Sequence, residues 1–299
     1  MNDVFRQLGS ILIFSSAAIL AGCQTMDKPP WELPPGVKSA VINGYPMAYV
    51  ERGSGPTVVL VHGELNDYRY WSPQLDTLSS RYRVVAVSLR HYYPEPWKGE
   101  GKFSIAQHSQ DLAAFIERLG AGPVDVVGWS RGGAVAVDMA HSRPELIRKL
   151  VLADPALFEL LPGGQKNDRR AKRARETQAF LEKGEMEEGL RYYFDGINGS
   201  GAWDRLPADQ RGSRLDNAWT VLGDLTDVET VTCEDIGRLK MPVLLMEGET
   251  SPAVLKNLRL TFQKCLPSAA SVTIPKANHQ MSRTNPAAFD AALIRFLSE

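Results

Sequence analysis

The sequence predicts an α/β protein: a mostly parallel sheet covered by helices on both faces, with a helical lid inserted between two of its strands. Three observations carry this. Short apolar runs recur along the chain, as in TVVLVHG, PVDVVGW and MPVLLMEG, and strands apolar on both faces belong in a sheet covered on both sides. Amphipathic helical stretches separate these runs, which implies right-handed crossovers and parallel neighbours. From Ala156 to about Arg238 there is no strand-like run, which marks the insertion.

In chain order, the first feature is the apolar run ILIFSSAAILAGC after Arg6. It has the length of an export signal and is too short for a membrane span. Its last residues, Leu20-Ala21-Gly22-Cys23, resemble the lipobox of bacterial lipoproteins. That resemblance implies cleavage before Cys23 and lipidation of its thiol. Gln24 follows rather than Asp, which in such lipoproteins implies sorting to the outer membrane, facing the periplasm. The expectation is therefore a signal peptide over 1–22, a tether over 23–38 and a folded domain over 39–299, anchored by lipid in a bacterial envelope. The tether contains MDKPPWELPPG, whose prolines forbid a helix and favour an extended chain. Export would permit Cys233 and Cys265 to pair. Sequence alone does not bring their Cα atoms together, so two free, half-buried thiols are expected.

From Ser39 onward, Ala40–Ile42 and Met47–Arg52 flank Asn43-Gly44, a strong hairpin signal. Buried strands are expected over Thr57–Gly63, Tyr82–Leu89, Pro123–Trp129, Lys149–Asp154 and Met241–Gly248, with a shorter one over Ser271–Pro275. The hairpin forms the antiparallel edge. Helical spacing covers Gln107–Leu119, Gly132–His141, Pro252–Leu266 and Pro286–Leu297. Within the lid, KNDRRAKRARE (Lys166 to Glu176) is expected to present one solvated helix face. With 299 residues, 43% of them hydrophobic, the chain can bury a large core. A net charge of −1 gives no basic surface for nucleic acid. The histidines lack metal-ligand spacing, and no glycine-rich phosphate loop follows a first strand, so neither a metal nor another cofactor is expected. Oligomeric state leaves no mark in the sequence.

The chemistry centres on GWSRGG, Gly128 to Gly133. It matches G-x-S-x-G, with a buried strand before it and a helix after it. Such a turn strains the serine backbone and leaves room only for small neighbours. The amides that open the following helix favour negative charge at the same spot. Ser130 is thus a candidate nucleophile, and it needs a base. Of the five histidines, His279 alone lies in a loop after the final strand and before the final helix.

From Ser39 to the C-terminus the chain resembles the α/β-hydrolase family. Val61-His62-Gly63, GWSRGG and Asn278-His279-Gln280-Met281-Ser282 carry the resemblance. It implies that Ser130 attacks, that His279 takes its proton and that a carboxylate orients His279. Many members place that acid in a Gly-x-x-Asp turn. Here the turn reads Gly248-Glu249-Thr250-Ser251. The replacement expected is Asp154, after the strand that follows the nucleophile's helix, since some members carry their acid there. Glu249 is the alternative. The resemblance also implies an oxyanion hole from the backbone N–H groups of Glu64 and Arg131. An anionic Glu64 beside an oxyanion would oppose it, so its carboxylate is expected to turn away or to pair with a cation. Trp129, Tyr92 and Tyr93 are expected to line the substrate pocket.

The activity implied is hydrolysis of a small-molecule carboxylic ester through an acyl-enzyme on Ser130. A serine at this position argues against epoxide hydrolases and dehalogenases, which use aspartate there. Carbon–carbon hydrolases, cofactor-free haloperoxidases, acyltransferases and lactonases remain open, as does a catalytically inactive binding module.

Overall fold

The computed structural model describes residues 29–161, 168–226 and 231–299. The expected export signal and Cys23 lie outside these residues. Among the described residues, eight strands form one sheet: β1 Lys38–Ile42, β2 Tyr45–Arg52, β3 Thr57–Val61, β4 Arg83–Val87, β5 Val124–Trp129, β6 Ile147–Ala153, β7 Val243–Gly248 and β8 Ala270–Ile274. Their spatial order is β1-β2-β4-β3-β5-β6-β7-β8. The β1–β2 hairpin turns at Asn43-Gly44 and joins β4 antiparallel; every later pairing is parallel. The expected strands thus form, each within a few residues of its sequence bounds.

Period-two alternation divides the sheet into two cores. On one face Val59, Val61, Val85, Val87 and Val126 pack with Leu112, Phe115 and Ile116 of α2 (Ile105–Leu119) and with Val135 and Met139 of α3 (Arg131–Ser142). On the other, Val58, Leu60, Val84, Ala86 and Val127 pack with Leu75 and Leu78 and with Phe289, Leu293 and Leu297. These belong to α1 (Ser72–Leu78) and α11 (Pro286–Ser298). Each fully buried leucine of this kind stabilises the fold by about 1.5–3 kcal/mol relative to exposure. Helix α2 starts on a Ser104 side-chain cap and stops at Gly120, whose φ of 60° ends the helical path.

Between β6 and β7 the described residues are helical: α4 Asp168–Glu182, α5 Met186–Asn198, α6 Ala208–Asp216, α7 Gly223–Thr226 and α8 Cys233–Gly237. Leu181, Leu190, Tyr193, Trp203, Ala218 and Val221 form a separate apolar cluster there. Leu65, in the loop after β3, joins it, which seats these helices over the carboxyl edge of the sheet. The basic stretch departs from its expected solvated face. Arg170 and Arg173, three residues apart on α4, turn inward to a cavity, while Lys172 stays exposed.

The two thiols are not free. Cys233 opens α8 and Cys265 closes α9 (Ala253–Cys265), with Cα atoms 5.1 Å apart and the sulfurs bonded. Thr232 and Asp235 form a reciprocal cap that starts α8 at this spot. The packing of α8 against α9, which residue spacing does not encode, brings the cysteines into range. The remaining helix, α10 (Met281–Thr284), follows the loop that carries His279.

Candidate active site

Ser130 follows β5 directly and takes φ 53°, ψ −121°, a conformation L residues rarely adopt. Its backbone is pinned on three sides. Its N–H donates to Ala153 O at 3.0 Å, and its carbonyl accepts from Gly133 N at 2.9 Å and Ala156 N at 3.0 Å. Strain of about 1–3 kcal/mol persists only under such constraint. Gly132 explains the close helix. A Cβ there would lie 2.3 Å from His62 O and 2.5 Å from Val61 O, so α3 could not approach the end of β3.

Asp154 sits one residue past β6 and extends the ladder to β7, its N–H donating to Met246 O at 2.9 Å. It too has positive φ, 44°. Because β6 neighbours β7, the Asp154 carboxylate reaches the turn at the end of β7. Ser251 Oγ donates to Asp154 Oδ2 at 2.5 Å and accepts from Gly248 N–H at 3.1 Å. The serine in the Gly-x-x-Asp position therefore holds the carboxylate that stands in for it. Asp154 Oδ1 is buried without a hydrogen-bond partner among the described residues.

His279 lies between β8 and α10. Its Nε2 is 3.1 Å from Ser130 Oγ and its Nδ1 is 3.1 Å from Asp154 Oδ2. With the ring proton on Nδ1, the ring donates to the carboxylate and accepts from the serine hydroxyl. The loop is braced from two sides. Trp129 Nε1–H donates to His279 O at 2.7 Å, and the indole stacks on Tyr70 with centroids 4.1 Å apart. Thr250 N–H donates to Ala277 O at 2.9 Å. Gly248 is required here, since a Cβ would lie 2.4 Å from Asn278 O.

Glu249 takes no part in this line. Its carboxylate accepts from Lys276 N–H at 2.6 Å on the exposed side of the turn. The other histidines are occupied. His62 Nε2 accepts from Leu89 N–H at 3.1 Å, and full burial lowers its pKa to about 4. His108 accepts from the Arg131 guanidinium at Nδ1, 2.7 Å, and burial with that neighbouring charge holds its pKa well below the usual range. His91 stacks on Trp97 and pairs with Glu95. His141 lies at the far end of α3, 3.6 Å from Asp235.

A cavity of about 920 Å³ opens onto Ser130 and His279. Trp129, Glu64 and Arg131 line it. The Glu64 carboxylate pairs with Arg170 of α4 at 3.3 Å. Tyr92 and Tyr93 do not line the cavity. Tyr92 packs edge-on against His62 at 4.5 Å between centroids, and Tyr93 lies 3.7 Å beneath the Arg69 guanidinium. The sequence reading missed Ser251 as a partner of the acid and Trp129 as a brace for the histidine loop. The first had a signal: a hydroxyl residue where the family places its carboxylate. The second had none.

The Alpha/beta hydrolase family model matches residues 58–292. Among characterised relatives, a pimeloyl-[acyl-carrier protein] methyl ester esterase of Aeromonas hydrophila is 28% identical over 262 residues, 83% of this chain and 98% of that protein. A soluble epoxide hydrolase of a Corynebacterium species is 32% identical over 126 residues, 42% of this chain and only 41% of that protein. Several further relatives are matched over about a third of their length, such as 35% for mycobacterial proteins of uncharacterised function. Among solved structures, an esterase from a Rhodococcus species superposes with a TM-score of 0.72 at 21% identity, covering 88% of this chain and 99% of that one. An epoxide hydrolase superposes at 0.73 with 18% identity, covering 88% and 98%. At such identities the structures bear on the fold alone.

Proposed function

The chain belongs to the alpha/beta hydrolase family, and within it we propose a serine hydrolase that cleaves carboxylic esters through an acyl-enzyme. The observation that carries this reading is the unbroken line Ser130–His279–Asp154, with 3.1 Å at each step. His279 Nε2 takes the hydroxyl proton as Ser130 Oγ attacks the ester carbonyl. Asp154 holds the ring tautomer and stabilises the imidazolium that forms. The protonated ring then returns its proton to the leaving alkoxide. A water deprotonated by the same nitrogen releases the acid product. The backbone N–H groups of Glu64 and Arg131 receive the oxyanion, a contribution of about 3–4 kcal/mol per donor in comparable sites. The pairing of Glu64 with Arg170 supports this assignment, because it offsets the acidic side chain that one of the two donor residues carries. The helices between β6 and β7 act as the lid that shapes the pocket.

The chain is further proposed to be exported and lipidated on Cys23, placing the enzyme at the envelope in contact with the periplasm. The Cys233–Cys265 bond supports export, since structural disulfides persist in oxidising compartments. A panel of p-nitrophenyl esters of graded acyl length tests the catalytic reading. Turnover of at least one ester by the wild type, lost in Ser130→Ala, is expected. Equal rates in the two proteins would refute it.

A further inference from the structure

The cavity is lopsided in charge. Among the described residues lining it, Glu64 is the one acid, and it is already engaged by Arg170. Against it stand Arg173, Arg205, Arg214 and Arg283. Two of these, Arg214 and Arg283, contrast with half-buried arginines elsewhere in the fold. Arg90 pairs with Asp111, Arg69 with Asp67 and Arg259 with Glu247. Arg214, on α6, is 2% exposed, yet no carboxylate lies within ion-pairing distance of it among the described residues. Its hydrogen bonds go to Gln210 O at 2.7 Å and to Gln280 Oε1 at 3.3 Å, and its guanidinium stands 5.3 Å from the Phe194 ring. Gln280 adjoins His279. Among the described residues, Arg283, on α10, donates to the backbone carbonyls of Tyr70 and Arg69 at 2.7 Å each. Burial and the nearby Arg283 charge lower the Arg214 pKa to about 10, which still leaves the group cationic at neutral pH.

A buried cation without a carboxylate in ion-pair contact is costly, and a second cation near it adds to that cost. Structural use would favour an acid nearby, as at Arg90 and Arg259. A binding site instead leaves that place to a ligand. The guanidinium has five N–H donors, of which two are engaged here, and its planar fork matches a carboxylate. We infer that Arg214 and Arg283 form a carboxylate-binding subsite, so that the preferred substrate is an ester that also bears a free carboxylate, such as a half-ester of a dicarboxylic acid. This rests on the ester-hydrolase reading for its kinetics but not for its binding.

Mono-p-nitrophenyl adipate and p-nitrophenyl hexanoate test it, because they share chain length and differ in the terminal charge. The wild type is expected to favour the charged ester by about 10-fold or more in kcat/KM. Arg214→Gln should erase that preference while changing hexanoate turnover less than about threefold, so the neutral ester reports on folding. Arg283→Gln, on another element, should weaken the same preference. A wild type that favours the neutral ester, or a variant that slows both esters alike, overturns the subsite. If neither ester is cleaved, the catalytic reading fails, and calorimetry with adipate alone decides the subsite. Binding to the wild type that is lost in Arg214→Gln supports it. Absent binding, or binding unchanged in the variant, overturns it.

Discussion

Ser251 should matter to catalysis although it touches neither substrate nor base. The Asp154 carboxylate is fully buried, and one oxygen, Oδ2, serves both His279 and Ser251. Its other oxygen has no hydrogen-bond partner among the described residues. Ser251→Ala therefore removes one of two bonds that fix the carboxylate plane. A hydrogen bond to a charged group contributes about 1.5–3 kcal/mol, which corresponds to about 10- to 150-fold in rate if the whole effect reaches the transition state. The ceiling is the loss of the acid itself, about 10⁴-fold in serine-protease triads. The assay is a double-mutant cycle of Ser251→Ala and Asp154→Asn, read as kcat on whichever p-nitrophenyl ester is cleaved best. Asp154→Asn alone should be the most damaging single change. In its background Ser251→Ala should cost less than about threefold more, because the charge it served is gone. Equal losses from Ser251→Ala in both backgrounds would show that the hydroxyl acts through the Gly248 turn and not through the acid.

Three further outcomes concern stability. Gly132→Ala should destabilise the fold by about 1–3 kcal/mol or more, because its methyl meets two backbone carbonyls that cannot step aside; an unchanged urea midpoint would contradict the packing of α3 on β3. Cys233→Ser with Cys265→Ser should cost about 3–4 kcal/mol by loop-closure entropy over 32 residues, lowering Tm, and reduction of the wild type should match it; identical melting with and without reductant would contradict the bond. His62 has a folded pKa of about 4 against about 6.5 when unfolded, so its contribution is present above pH 6.5 and is lost as pH falls through 4; this amounts to about 3 kcal/mol of acid lability, and His62→Gln should flatten the fall in unfolding free energy across that window.

Much of this molecule is legible before any coordinates. Apolar runs such as TVVLV and VDVVGW are strands because all their side chains are buried, and a doubly covered sheet leaves no alternation to misread. GWSRGG is readable because its glycines are forced by backbone approach rather than by loop preference. The sequence favours Asp154 over Glu249 as the acid, and Asp154, not Glu249, lies against His279. Apart from Ser251, what failed to show had no local signature. The cysteines meet through the packing of two helices whose mutual placement depends on the whole domain. Tyr92 and Tyr93, in the loop after β4, turn to His62 and Arg69 instead of the cavity. The inward aim of Arg170 and Arg173 depends on where α4 docks, and a charge run does not encode that.

Intact-mass spectrometry after treatment with a fluorophosphonate bears most directly on whether Ser130 is an activated nucleophile. A single adduct on Ser130 in the wild type, absent from Ser130→Ala and strongly slowed in His279→Ala, is the expected result. An unmodified serine on well-folded protein, or labelling just as fast without the imidazole, would contradict the mechanism at its root.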